Sequence, residues 1–269
     1  MDNMQKIPVF FTFDANYLLA AKVAIHSMMK HASRQYWYEL YVFHTTLSPK
    51  AQQSLRNSLK EFTHTELHFI DVTQYNEKIK NFGTKAHYSK EIFYKLIATD
   101  VLPQYDRIIC SDVDVVFTGD FSPVFFMFPN EKFYYAGVGP VENSRMPYYR
   151  KDFSTTEMEI LEHEIAAGFL LINLKELRND HKQEEIINFY VNNYPRLRLP
   201  EQDCIILTCW PYIKYLPIDY SLPISFYRLN MNQRDFYQGN TEFAGDKATA
   251  LAKFNKGLAH PVQIHYAGF

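Results

Sequence analysis

Short apolar runs alternate with longer segments of helix-forming residues through the first half of the chain. The apolar runs have the length of buried strands, and the segments between them have helical length. The predicted strands are Ile7–Phe13, Glu39–Thr45, Glu66–Val72 and the run "RIICSD" that begins at Arg107. The predicted helices are Tyr17–Ala32, Ser48–Phe62 and Lys90–Pro103. Because continuous apolar runs are typical of strands covered on both faces, this order predicts an α/β protein with a mostly parallel central sheet.

The second half of the chain is less regular. Phe133–Val138 is strand-like, and helices are predicted near Gln183–Asn193 and Glu201–Cys209. From Pro211 onward the apolar runs are short and rich in aromatic residues. Pro140–Glu157 has the composition of a long loop, and long loops in compact domains are often functional lids.

Composition narrows the class of protein. The 269 residues, 47% of them hydrophobic, suit one large domain with or without a small appendage. A net charge of -2 offers no basic surplus for nucleic acid. No signal peptide is evident, and no apolar run reaches the ~20 residues that span a bilayer. The three cysteines form no CxxC pair, which predicts a reduced, cytoplasmic setting without a thiolate zinc site.

Two carboxylates interrupt the fourth apolar run, at Asp112 and Asp114. Residues two apart in a strand point to the same side, and ligands of α/β sheets bind beyond the carboxyl ends of the strands. Two such carboxylates repel unless a cation lies between them, and their oxygens suit Mg²⁺ or Mn²⁺. A metal ion would also anchor a diphosphate in a chain that has no GxxxxGK loop.

Two other interpretations of the carboxylate pair stay open at this point. The pair is also compatible with a solvated turn. It also resembles the DxD of dehalogenase-type phosphatases, in which the first Asp is a nucleophile. Those enzymes usually carry the motif near the N-terminus, followed by Gly-Thr or Thr-Leu, whereas here it follows three predicted strands and precedes Val115 and Val116. The position favours the metal site.

Taken with four other blocks, the motif "SDVDVVFTGD" resembles glycosyltransferase family 8 over essentially the whole chain. The blocks are "FFTFDANYLLAAKVAIHSM", "AAGFLLINLKELR", "PEQDCIIL" and "IHYAG". These enzymes are retaining galactosyl- and glucosyltransferases with a GT-A fold, a Rossmann-like nucleotide-sugar-binding architecture. The resemblance implies a single GT-A domain over residues 1–269.

The resemblance also implies a set of donor-binding residues. In the family, the residues that match Thr12, Asp14 and Asn16 contact uracil and ribose, with Tyr17 nearby. Asp14 or Asn16 would serve equally as a cap of the following helix. The resemblance assigns five more residues to the UDP-sugar site: Lys95, Asp112, Val113, Asp114 and Gly268. Asp112 and Asp114 are the DxD pair, and Lys95 matches a basic residue that is usually Arg.

The implied metal ligands are Asp112, Asp114 and His265. A histidine nitrogen favours Mn²⁺ over Mg²⁺, and its ligand role requires the neutral imidazole. Lys95 keeps the positive charge of the family's Arg but lacks the planar guanidinium group, which can donate two parallel hydrogen bonds. A solvated helix lysine is the alternative for that position.

The catalytic residues implied by the resemblance are Glu201, Gln202 and Asp203. The family places the match of Gln202 beneath the anomeric carbon of the donor sugar. Because an amide is a poor nucleophile, we expect electrostatic support and a front-face reaction, in which a diphosphate oxygen helps to deprotonate the acceptor. Glu201 or Asp203 would orient sugar hydroxyls. The alternative is an acid-rich first turn of a helix.

Two features depart from the family. Ala166 stands where the family commonly has an Asn in the sugar region, so donor identity and efficiency are open. The chain stops at Phe269, before the Lys-Pro-Trp whose Lys binds the diphosphate, so we expect weaker diphosphate binding. Peripheral attachment to the inner face of the membrane, where the family has it, often depends on a basic, aromatic tail beyond that point.

The sequence therefore predicts a metal-dependent retaining hexosyltransferase that uses UDP-galactose or UDP-glucose. The family suggests a lipooligosaccharide, in lipopolysaccharide biosynthesis, or a glycoprotein glycan as the acceptor. Tyr148, Tyr149 and Phe153 in the long loop are candidates for stacking on its sugars. A non-catalytic UDP-sugar or glycan-binding module is the alternative, motivated by Ala166, and a phosphatase is a third.

Overall fold

The computed structural model describes residues 4–80, 89–142, 151–239 and 242–267. Its strands are β1 (Lys6–Thr12), β2 (Trp37–His44), β3 (Thr65–Asp71), β4 (Ile108–Ser111), β5 (Val115–Phe117), β6 (Tyr135–Val138), β7 (Phe169–Ile172), β8 (Ile213–Leu216), β9 (Leu222–Pro223) and β10 (Gln263–His265). Its α-helices are α1 (Leu18–His31), α2 (Pro49–Ser58), α3 (Asn76–Ile79), α4 (Ala98–Val101), α5 (Thr155–Leu161), α6 (Leu174–Asn179), α7 (Lys182–Asn193), α8 (Pro200–Cys209) and α9 (Lys247–Ala259). Short 3₁₀ turns connect several of these elements.

A seven-stranded sheet in the order β3-β2-β1-β4-β7-β6-β8 forms the centre of the molecule. β3, β2, β1 and β4 are parallel, β7 is antiparallel to both of its neighbours, and β6 is parallel to β8. The predicted α/β class and mostly parallel sheet are therefore confirmed. The inner strands are covered on both faces, and β1 is buried at every position after Lys6, whereas the edge strand β3 is only partly buried. This double burial explains the continuous apolar runs in the sequence.

The run that begins at Arg107 forms two strands in two different sheets. β4 belongs to the central sheet, whereas β5 joins β9 and β10 in a small three-stranded sheet. β10, near the end of the chain, pairs antiparallel with β5, and His265 lies opposite Val115. Sequence periodicity did not indicate this second sheet, because its strands are only two or three residues long. The pairing brings the C-terminal segment beside the DxD motif.

Several local predictions need adjustment. The predicted helix Lys90–Pro103 is a 3₁₀ helix over Lys90–Ile97 followed by α4. Six residues of that 3₁₀ helix are buried, so the helix has no single apolar face from which the sequence could distinguish a 3₁₀ helix from an α-helix. Helix α9 lies in the part of the chain that was described as irregular. The predicted start of α2 is correct: the Ser48 side chain accepts a hydrogen bond from the Ala51 N–H, and Pro49 occupies the first turn.

The predicted long loop Pro140–Glu157 is only partly described. Residues 143–150, which include Tyr148 and Tyr149, lie outside the described residues. Its last residues enter α5, whose first turn has a capping box between Ser154 and Glu157. Among the helices of the described ranges, none is long and apolar enough to cross a membrane.

Candidate active site

Asp112 and Asp114 lie in the crossover between β4 and β5, which answers why acids stand inside an apolar run. Burial alternates along the crossover, so that Val113 is 5% exposed while the two aspartates are only half-buried. The backbone N–H of Asp112 donates to the Gly168 carbonyl at 2.9 Å. The N–H of Tyr266 donates to the Asp114 carbonyl at 2.9 Å. The crossover is thus held between β7 and the end of β10.

Both aspartate side chains point towards His265, as their spacing predicts. Nε2 of His265 lies 3.2 Å from Oδ1 of Asp114 and 3.6 Å from Oδ2 of Asp112. Ligand atoms of the three residues all lie within 4.8 Å of one another. Within the described residues, this is the group of His, Cys, Asp and Glu side chains whose ligand atoms lie close enough together to hold a metal ion. Two carboxylates and one imidazole are a donor set that suits Mn²⁺.

Gly168 leaves the room that the triad occupies. A Cβ at this position would lie 2.5 Å from Cε1 and 2.7 Å from Nδ1 of His265, and 3.4 Å from Oδ2 of Asp112. Any side chain here would push the imidazole away from the carboxylates. The chemistry of the donor set and this close approach together show that the three residues fit a divalent cation.

Without a cation, the two carboxylates favour the protonated form of the His265 imidazole. Burial opposes a charge on His265, but the hydrogen bond to Asp114 and the two negative charges outweigh it and raise the pKa of the imidazole. Burial likewise opposes a charge on Asp114, and the bond to His265 lowers the pKa of that carboxyl below its usual value. A cation that binds here must displace this proton, since ligation requires the neutral imidazole.

Lys95 is buried against the first aspartate of the motif. The residue is 2% exposed, and its Nζ lies 2.6 Å from Oδ1 of Asp112 and 3.2 Å from Oε1 of Glu201. It also donates to the Ala167 carbonyl at 3.0 Å. Burial opposes the charge, but Asp112 and then Glu201 outweigh it and raise the pKa of the ammonium. The alternative of a solvated helix lysine is wrong.

The segment Glu201–Asp203 forms the buried first turn of α8. Glu201 is 7% exposed, and its Oε2 is a buried atom with no hydrogen-bond partner in the described part of the chain. Oε1 of Gln202 accepts a hydrogen bond from the Ala167 N–H at 3.1 Å. The Gln202 side chain therefore reaches the segment that leads into Gly168 and the triad, and Glu201 is connected to the same segment through Lys95.

Asp203 has a different environment from its two neighbours. It is 0% exposed, and its Oδ2 accepts hydrogen bonds from the N–H groups of Arg198 at 2.6 Å and Leu199 at 3.0 Å. These contacts order the chain just before α8. For Asp203 they favour the structural alternative of an acid in the first turn of a helix over a contact with sugar.

The residues assigned to the nucleoside lie at the carboxyl end of β1. The Thr12 hydroxyl donates to the Glu91 carbonyl at 2.8 Å. Asp14 caps the 3₁₀ turn that follows, accepting from the N–H groups of Asn16 at 2.8 Å and Tyr17 at 3.3 Å. The capping role is therefore present. The side chains of Asn16 and Tyr17 are exposed, and Nδ2 of Asn16 also donates to Oδ2 of Asp14 at 3.1 Å. Gly268 lies outside the described residues.

One predicted acceptor contact is wrong. Phe153 is 8% exposed and packs in the hydrophobic core with the Arg196 guanidinium 4.7 Å above its ring. Its ring is therefore packed against protein groups and not exposed for stacking on a sugar.

Sequence reasoning missed three residues at the site. Gly168 was seen only as part of a motif. Gln263 is 0% exposed and donates through Nε2 to the Ser111 hydroxyl at 3.1 Å, which in turn donates to the Asp112 carbonyl at 2.9 Å. Its position two residues before His265 was the available signal. Glu91 is a buried carboxylate beside Thr12 whose Oε1 has no hydrogen-bond partner among the described residues, and the sequence carried no signal for it.

The fold and the site match those of GT-A glycosyltransferases, with three side chains that could hold a metal ion at the carboxyl end of a mostly parallel sheet. The chain belongs to glycosyl transferase family 8, whose sequence profile matches residues 8–268. The expected family is confirmed, and the phosphatase alternative is excluded. No curated protein matches the chain significantly in sequence.

Solved structures show the same fold at low sequence identity. The apo structure of the bifunctional glycosyltransferase WbbM aligns with a TM-score of 0.74 at 20% identity over 98% of this chain and 46% of that chain. An active-site mutant of LgtC aligns with a TM-score of 0.73 at 17% identity over 98% of this chain and 88% of that chain. The glycosyltransferase GlyE of Streptococcus pneumoniae TIGR4 aligns with a TM-score of 0.62 at 16% identity over 98% of this chain and 55% of that chain. The chain thus spans less than half of the WbbM chain.

Proposed function

We propose that the protein is a metal-dependent retaining hexosyltransferase that transfers galactose or glucose from a UDP-sugar to a hydroxyl group of a glycan. The observation that carries this proposal is the convergence of Asp112, Asp114 and His265. A structure of the galactosyltransferase LgtC in complex with donor and acceptor sugar analogues has the same fold, with a TM-score of 0.69 at 16% identity. We assign one GT-A domain to residues 1–269 and a lipooligosaccharide or a glycoprotein glycan as the acceptor.

The triad is the site for Mn²⁺ or Mg²⁺. A divalent cation supplies Lewis-acid charge that offsets the charge of the leaving diphosphate. The imidazole nitrogen of His265 favours Mn²⁺. Gly268 follows the triad in sequence, and Val113 separates the two aspartates; both belong to the same proposed donor site.

The nucleoside occupies the carboxyl end of β1. Asn16 offers an amide and Asp14 an acceptor, which are the groups that a uracil edge and ribose hydroxyls require. Thr12 holds this end of β1 against the 3₁₀ helix that carries Lys95. Tyr17 is 44% exposed and supplies a ring face beside the base.

The sugar lies next to Glu201 and Gln202. Oε1 of Gln202 already accepts the Ala167 N–H, which fixes the amide and makes its oxygen a still poorer nucleophile towards an anomeric carbon. This supports the front-face route, in which Gln202 contributes electrostatic support to the oxocarbenium-like state. The unpartnered Oε2 of Glu201 is an acceptor for a sugar hydroxyl.

Calorimetry with UDP, UDP-galactose and UDP-glucose, with and without Mn²⁺, tests the proposal. We expect Mn²⁺-dependent binding by the wild type and its loss in Asp114→Asn. Asp106→Asn is the matched control, because Asp106 is an exposed aspartate that pairs with Arg178. Equal binding in the presence and absence of Mn²⁺ would contradict the metal role.

Release of UDP separates catalysis from binding alone. With Mn²⁺ and a broad panel of glycan acceptors, we expect UDP release above the hydrolysis background. Binding without transfer or hydrolysis would instead support a UDP-sugar or glycan-binding module. That alternative has one sequence feature in its favour, namely Ala166 at the position where the family commonly has an Asn.

A further inference from the structure

The ammonium group of Lys95 has no free hydrogen-bond donor. Its three N–H bonds match three acceptors, namely Oδ1 of Asp112 at 2.6 Å, the Ala167 carbonyl at 3.0 Å and Oε1 of Glu201 at 3.2 Å. Because the residue is 2% exposed, the ammonium cannot turn to a ligand without breaking a buried contact. Lys95 is therefore engaged by the protein and not directed at a diphosphate.

Lys95 contacts one carboxylate oxygen of Asp112 and one of Glu201, so that the second oxygen of each residue can contact a ligand. Oδ2 of Asp112 faces His265 at 3.6 Å and belongs to the metal triad. Oε2 of Glu201 is buried and lacks a hydrogen-bond partner in the described structure. A buried carboxylate oxygen without a partner is costly, so a group that donates a hydrogen bond is expected there.

Asp112 and Glu201 depend on Lys95 to different degrees. The Asp112 carboxylate also faces His265, with Oδ2 at 3.6 Å from Nε2, and its backbone N–H donates to the Gly168 carbonyl. The Glu201 side chain has no other hydrogen-bonded contact in the described structure than the one with Lys95. Loss of the ammonium therefore releases Glu201 and leaves Asp112 at the triad.

We infer that Lys95 is a positioning residue that holds Glu201 beside Asp112, so that Oε2 of Glu201 accepts a hydrogen bond from a hydroxyl group of the donor hexose. This inference rests on the proposed function and deepens it. It replaces the expectation that Lys95 itself binds the nucleotide. The ammonium thereby connects the carboxylate that binds the metal with the carboxylate that binds the sugar.

The test measures UDP affinity and turnover separately, in the full chain, for Lys95→Met, Glu201→Gln and the double variant. We expect the Kd of UDP with Mn²⁺ to stay at the wild-type value in all three. We expect kcat of UDP release from the hexose donor to fall about 100-fold, the effect of a misplaced group near the reacting atoms. The double variant should be no slower than the slower single variant. Both substitutions disrupt the same Lys95–Glu201 contact, so their effects should not add.

Lys132→Met is the matched control. Lys132 is a surface lysine that also pairs with a carboxylate, Asp180, at 2.6 Å. We expect wild-type UDP affinity and turnover for this variant. Thermal unfolding of all variants reports whether they fold. If Lys95→Met does not fold, Glu201→Gln tests the sugar contact, and Lys95→Arg, which keeps the charge but moves it, tests the positioning role: it should lower kcat and leave the Kd of UDP unchanged.

Deoxy analogues of the donor identify the hydroxyl group. With UDP-hexoses that lack one of the 2-, 3-, 4- or 6-hydroxyl groups, the ratio of wild-type to Glu201→Gln turnover should fall to about one for a single analogue. A merely structural role of Lys95 and Glu201 would lower turnover equally for every analogue.

Several results would overturn the inference. Loss of UDP affinity in Lys95→Met would make Lys95 a nucleotide ligand, and additive effects of the two substitutions would separate it from Glu201. Unchanged turnover in Glu201→Gln would remove the sugar contact. If the wild type does not bind UDP with Mn²⁺, the proposed function fails and the inference with it. Loss of UDP affinity in Lys95→Met alone overturns only the inference.

Discussion

Gly168 lies so close to His265 that a Cβ on the glycine would fall 2.5 Å from Cε1 of the imidazole. Real Cβ contacts are not this short, so the ring is in place only because residue 168 has no side chain. β7 begins immediately afterwards at Phe169, and this strand lies antiparallel to β4. The glycine thus sets how closely the C-terminal histidine approaches the two aspartates.

Gly168→Ala is therefore expected to weaken metal binding. The added methyl group displaces His265 from Asp112 and Asp114, and displaced ligands typically cost about 10- to 100-fold in metal affinity. Titration with Mn²⁺ followed by electron paramagnetic resonance measures the change. Gly119→Ala is the control, because a Cβ there would meet the Val262 Cα at 3.3 Å and lies against no metal ligand. Equal Mn²⁺ affinity in wild type and Gly168→Ala would show that His265 is not a ligand.

Asp203 is expected to act on folding more than on turnover. Its carboxylate satisfies two backbone N–H groups before α8, so Asp203→Ala should lower the free energy of unfolding by about 2–3 kcal/mol. Asp203→Asn keeps an acceptor oxygen and should recover most of this loss. Chemical denaturation measures both variants. If Asp203→Asn is stable but has lost turnover, Asp203 belongs to the catalytic residues after all.

Glu242 gives the folded state a pH dependence between about pH 4.5 and pH 7. Its carboxylate accepts from the Ile218 N–H at 3.0 Å, and burial is the main cause that raises its pKa to about 7. Asp219 adds to the rise, and Lys253 opposes it. Because the folded pKa lies above the usual 4.5, its contribution to stability is present below pH 4.5 and is lost as the pH rises through 7. Glu242→Gln should therefore raise Tm relative to the wild type at pH 8 and not at pH 4.

Glu157→Gln is the control, because its effect on Tm should change with pH in the opposite direction. The hydrogen bond from Arg196 is the main cause that lowers the pKa of Glu157 to about 2. This contribution to stability is present above pH 4.5 and is lost as the pH falls towards 2. The substitution should lower Tm at pH 6 to 8 and have little effect near pH 2. Tm differences that vary with pH in the same direction for both variants would contradict the assignments.

Ala166 is the position at which a family side chain can be restored. We expect Ala166→Asn to raise kcat/KM with UDP-galactose or UDP-glucose, because an amide can hydrogen bond a sugar hydroxyl. One such bond contributes about 1 kcal/mol, which corresponds to about fivefold in rate. Ala166→Leu, which adds similar volume without a hydrogen bond, controls for size. A rise in both variants would indicate a packing effect, and a rise in neither would remove residue 166 from donor binding.

The sequence by itself determined the α/β class, the first four strands of the main sheet and the identity of the DxD pair. These features are local, since burial on both faces produces continuous apolar runs and spacing by two places Asp112 and Asp114 on one side. The resemblance to the family selected His265 from ten histidines, a selection that local patterns do not allow.

The tertiary structure decided the parts that depend on contacts between distant segments. The pairing of β10 with β5 brings His265 to Asp114, and the side chain of Lys95 reaches Glu201 across 106 positions. Gly168 and Gln263 matter only because other strands pass beside them. Sequence periodicity reports which face of an element is buried, but not what it is buried against. The contacts of Lys95, Glu201 and Asp203 are therefore visible only in the tertiary structure.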